Sequence, residues 1–105
     1  MSSLTPVYTA VISENAIADN EVVAAVAGKQ IKVLSLVLVC SGGANTCTWK
    51  TAATAISGAM SFAVNGGYSL GDGTTPVLVT NNGEALNLAL TAATLVGGHV
   101  SYVLG

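Results

Sequence analysis

Arginine does not occur in this sequence, and charge of either sign is scarce: three lysines, five acids and one histidine in 105 residues, 8% charged in all, for a net charge of −2. About a quarter is usual for a soluble domain. Lys29, Lys32 and Lys50 are too few to neutralise a run of phosphates, so no nucleic-acid partner is expected. Long apolar runs are missing as well. The longest, "VLSLVLVC" at 33–40, is far short of the roughly 20 residues of a spanning helix, so no membrane partner is expected. This holds although 51% of residues are hydrophobic and the mean hydropathy is +0.68. Aromatics are 5% of the chain, too sparse for the interfacial girdles of a membrane barrel and too scattered for a strip on which sugars stack. The opening "MSSLTPVYTAVIS" has no basic stretch leading into an apolar one, so no secretory signal is expected.

Strand signals fill the space that these absences leave. Apolar and β-branched runs alternate with Gly/Asn/Asp turns about every ten residues: "AGKQ" (27–30), "SGGANT" (41–46), "NGG" (65–67), "GDGTTP" (71–76), "NNGE" (81–84) and "VGG" (96–98). Strands are expected near 6–12, 21–27, 30–40, 46–52, 58–64, 68–70, 76–80, 84–91 and 99–104. The alanine runs in 51–60 and 90–98 are threonine-rich and cut by glycine, which disfavours helix. Eight or nine short strands with no crossover helix predict an all-β fold, an antiparallel β-sandwich of jelly-roll type. It forms a single domain, in which residues 1–20 supply an N-terminal strand or arm with a polar loop and residues 21–105 the sandwich.

The stretch "IKVLSLVLVC" (31–40) is apolar on both alternating rows apart from Lys32 and Ser35. One row is expected in the core. The other needs a cover, either loops of the same chain or a second subunit. The thin ionic coating of the chain favours the subunit, so Leu34, Leu36 and Leu38 are candidates for an oligomer interface. Tyr8 and Tyr102, amphipathic rings on terminal strands, join them.

Residues able to carry chemistry are few. Cys40 and Cys47 flank "SGGANT"; a cross-strand disulfide and a pair of buried thiols both fit this spacing, which is not that of a zinc or redox motif. His99 is a lone histidine with no partner in the sequence pattern, and a strand histidine of this kind is expected to be packed or hydrogen-bonded. Three symmetry-related copies meeting at an axis could bind a metal or an anion, but no metal is assigned. Glu14, Asp19, Glu21, Asp72 and Glu84 form no cation loop and no catalytic pair. Asp72 is expected to make an Asx turn, and Glu84 to keep its turn soluble. No serine lies in a nucleophile elbow, and "NGGYSLGDG" (65–73) lacks the lysine and helix of a phosphate loop. The chain is expected to be no enzyme and to bind no cofactor.

The segments "AISGAMSFAVNGGYSLG" (55–71) and "GEALNLALTAATLVGGHVSYVLG" (83–105) resemble a group of small proteins encoded among the structural genes of tailed phages and prophages. The shared features are Gly83, Ala85, Leu86, Asn87 and Leu88, then Gly97, Gly98, Val100 and Tyr102, with "IKVLSLVL" (31–38) similar to the central strand of that group. The likeness spans roughly residues 22–104. It implies a β-sandwich virion protein, often trimeric: a capsid decoration (cement) protein, bound to the major capsid protein on the outer shell and made in the host cytoplasm. A tail-fibre or spike module, a receptor- or glycan-binding sandwich, and a self-assembling structural protein are the alternatives. The resemblance implies no catalytic residues, and the two cysteines are not a feature of the group.

Overall fold

A computed structural model describes residues 6–105 of the chain, and among them every regular element is a strand. Ten are present: β1 (Tyr8–Glu14), β2 (Ala18–Val23), β3 (Ile31–Val39), β4 (Asn45–Thr51), β5 (Thr54–Ala55), β6 (Met60–Phe62), β7 (Gly67–Leu70), β8 (Leu78–Val79), β9 (Leu86–Leu90) and β10 (Val96–Leu104). They form two antiparallel sheets. The first has the order β1-β10-β3-β7, with β8 also on β3; the second has the order β2-β9-β4-β5, with β6 also on β4. The chain steps from one sheet to the other at β1–β2, β2–β3, β3–β4, β6–β7, β8–β9 and β9–β10, and β10 is inserted between β1 and β3, and β9 between β2 and β4. This is jelly-roll winding, in agreement with the expected sandwich.

Alternation builds the core between the sheets. Leu86, Leu88 and Leu90 of β9 and Cys47 and Trp49 of β4 meet Ile12, Val96, Val100, Leu36 and Leu38 of the first sheet. Removing each such aliphatic side chain from water stabilises the fold by about 1.5–3 kcal/mol.

β3 answers the question of its two apolar rows. In its pairing with β10, Ser101 stands opposite Ser35 and Tyr102 opposite Val33, so Leu34 is an extra residue and the register shifts there. A bulge of this kind reverses which row faces inward. Ile31 and Val33 face the core before it, and Leu36, Leu38 and Cys40 after it. Leu34, Leu36 and Leu38 are 6%, 1% and 0% exposed in the single chain. They are therefore withdrawn as oligomer-interface residues: they already have cover. Over the bulge the cover is the chain's own 71–77 loop. Gly73 N and Val77 N donate to the carbonyls of Leu34 and Val33 at 3.4 and 2.7 Å, and a Cβ on Gly71 would lie 2.2 Å from Leu34 O.

The N-terminal segment also differs from expectation. Residues 1–5 lie outside the described residues. Residues 8–14 pair along their whole length with β10, and residues 18–23 pair with β9. The boundary at residue 20 therefore falls inside β2, and residues 8–20 belong to the sandwich rather than to an arm.

Candidate functional site: the outer faces and the sheet edges

The two sheets turn different outer faces to solvent. On the second sheet the outward residues are Asp19 and Glu21 of β2, Asn87 and Ala89 of β9, and Thr46, Thr48 and Lys50 of β4, placed by the registers Asp19–Ala89–Thr48 and Glu21–Asn87–Lys50. Lys50 Nζ reaches Asp19 Oδ1 at 3.1 Å. On the first sheet the outward rows are Thr9–Ser101–Ser35, Val11–His99–Val37–Ser69 and Ser13–Gly97–Val39–Gly67, with Val103 beside Lys32. This face carries one lysine, one histidine and no acid, and valine, serine, threonine and glycine make up the rest.

The sequence-level candidates fall in separate places. Tyr8 and Tyr102 stack with ring centroids 5.5 Å apart at one end of the first sheet, where Tyr8 is exposed. His99 is exposed on the outer face between Val11 and Val37. Among the described residues no three His, Cys, Asp or Glu side chains come together to hold a metal ion, and no cavity opens.

Cys40 and Cys47 do meet, and as free thiols. Cys40 follows β3 in the first sheet and Cys47 lies in β4 of the second, with the sulfurs 4.0 Å apart and both side chains fully buried. Burial, then the proximity of Cys40, pushes the Cys47 thiol up to about 12. It is neutral at physiological pH and a poor nucleophile.

Asp72 makes the expected Asx turn. Its Oδ1 accepts from Thr74 N at 2.9 Å and Thr75 N at 3.0 Å, and these backbone donors, Thr75 first, hold its carboxyl down at about 2. Glu84 does more than keep a turn soluble. Its Oε1 accepts from Thr51 Oγ1 at 2.8 Å, while Asn81 N donates to the same hydroxyl at 2.8 Å.

Two structural residues escaped the reading of the sequence. Asn45 is 4% exposed and holds the loop between β9 and β10. Its Nδ2 donates to Ala92 O (2.9 Å) and Thr94 Oγ1 (3.0 Å), and its Oδ1 accepts from Thr91 N and Ala92 N (both 3.1 Å). Asn20, also buried, donates to Ala16 O (2.9 Å) and across to Leu88 O (3.2 Å). The only local signal was an asparagine on the apolar row of a strand.

Comparison with protein-family models, with curated proteins and with solved structures finds no match.

Proposed function

We propose that this protein is a structural, non-catalytic component of a virion, working through its surfaces. More particularly, we propose a capsid decoration protein that seats the outer face of its first sheet on the assembled shell and associates with its own copies. The observation that carries this reading is the partition of charge. Asp19, Glu21 and Lys50 lie on the outer face of the second sheet, whereas four strands of the first sheet present a nearly uncharged face. Desolvating valine, serine and glycine against another protein leaves almost no charge unpaired, while covering the second face would strand an ion pair.

The mechanism is linkage. A protein that binds only the assembled shell stabilises that state by about 2.7 kcal/mol per site at a free concentration of one hundred times Kd. The test adds purified protein to shells from the same source that lack it. Saturable co-sedimentation and a raised shell melting temperature are expected. Val37→Lys, in the middle of the first face, should weaken binding, and Thr48→Lys on the second should leave it intact. Absence of binding by the wild type, or equal loss with both variants, overturns the reading.

A further inference from the structure

The sandwich has four sheet edges, and three are blunted. The far edge of the first sheet is shared by β7 and the two-residue β8, broken by the 71–77 loop. One edge of the second sheet is made of β5 and β6, two and three residues long. Its other edge, β2, carries Asp19 and Glu21 and a register shift at Val22. Short strands, charges and bulges are the usual devices that stop edges from pairing with other chains.

β1 carries only one of these, a charge on its last residue. Its seven residues, "YTAVISE", pair with β10 in unbroken register. It holds no proline, no lysine and no bulge, its only charge is the terminal Glu14, and no described segment pairs with its other side. Exposed apolar side chains also gather here. Among the described residues, Val7, Tyr8 and Val11 are large exposed hydrophobics on β1 or next to its start, Ile17 in the loop that follows it is another, and Val11 is 73% exposed.

We infer that the free edge of β1 pairs antiparallel with β1 of a second copy about a two-fold axis at Val11, joining the first sheets of two molecules into one continuous sheet. The strand is self-complementary in this register. Val11 faces the partner's Val11, Thr9 the partner's Ser13, Ala10 the partner's Ile12, and Tyr8 the partner's Glu14. Residues of the same face meet in every pair, so inward residues continue the inner face and outward residues the outer one. Thr–Ser and aliphatic cross-strand pairs are favourable. The two Glu14 side chains lie at opposite ends, roughly 20 Å apart at ~3.4 Å per residue, so no like charges meet.

The contact is a single edge about 24 Å long, less than a standard interface, so the dimer is concentration-dependent. The inference deepens the structural reading and rests on it for the expectation of self-association. It gives a dimer where the phage-protein resemblance implies a trimer. Shell binding and solution mass are read separately, so either proposal can fail alone.

The experiment is sedimentation equilibrium of the purified chain over a concentration series extending to several hundred micromolar. The wild type should pass from monomer to dimer. Val11→Lys places two ammonium groups opposite each other on the axis and should raise the dimer Kd roughly tenfold or more. Val79→Lys, on the opposite edge, should leave it unchanged. Circular dichroism serves as the folding control for both, and Val11 is exposed enough for the monomer to tolerate lysine. Independently, Val11→Cys should give a disulfide-linked dimer under mild oxidation by oxidised glutathione, the reagent taking up the two electrons, because the native thiols are fully buried. A wild type that stays monomeric, a trimer, a Val11→Lys dimer as tight as wild type, or failure of Val11→Cys to cross-link where the wild type is dimeric each overturns the inference.

Discussion

The indole of Trp49 is fully buried, and its single polar atom crosses from one sheet to the other: Nε1 donates to Tyr68 Oη at 3.0 Å. Tyr68 in turn stacks on Phe62 with centroids 5.8 Å apart, and burial raises its phenol. Tyr68→Phe keeps the ring and orphans the indole N–H, which should cost about 1–3 kcal/mol. The expected readout is a lower urea midpoint at unchanged slope; an unmoved midpoint would show that the hydrogen bond contributes nothing net. The turn at Asp72 was legible, because Asx geometry is decided within a few residues. The hydrogen bonds of Asn45 and Asn20 were not. Their acceptors at Ala92 and Leu88 are 47 and 68 residues away, and only the closed sandwich brings them near.

At the scale of the strand, β3 carried a readable clue. Lys32 and Ser35, its two polar residues, are three apart. A strand with one wet face needs an even spacing, so three calls for an inserted residue, and Leu34 is that residue. With the bulge, both apolar rows enter the same core by turns. β2 failed for a related reason. Residues 13–21 look like a polar loop because Asp19 and Glu21 face solvent while the inward residue between them, Asn20, is polar too. β10 depends on Gly98, which has φ +144°, and a Cβ there would lie 1.8 Å from the carbonyl oxygen of Val37 on the adjacent strand. Backbone cannot yield as a side-chain tip does, so Gly98→Ala should destabilise the fold by at least about 4 kcal/mol. A thermal melt of Gly98→Ala matching wild type would show that β10 can shift away from β3 at little cost.

For the whole molecule, jelly-roll winding places chain neighbours on opposite sheets, and the thiols report on it. Cys40 and Cys47 sit fully buried where the two sheets face each other, so a reagent reaches them only when the sandwich opens. Both should be alkylated together, at a rate that rises with denaturant along the global unfolding transition; rapid labelling of either in water would mean that the 40–44 connection between β3 and β4 opens alone. Taken by itself, the sequence determined the all-β class and most of the turns, because apolar alternation and Gly/Asn/Asp turn chemistry act over neighbouring residues. The tertiary structure alone decided that β1 and β2 belong to the sandwich, that Leu34, Leu36 and Leu38 are sheltered by their own chain, that the thiols meet unbridged, that Asp19, Glu21 and Lys50 gather on one outer face, and that the open edge lies at β1. Those outcomes depend on which strands become neighbours, a choice made by packing between residues distant in the chain.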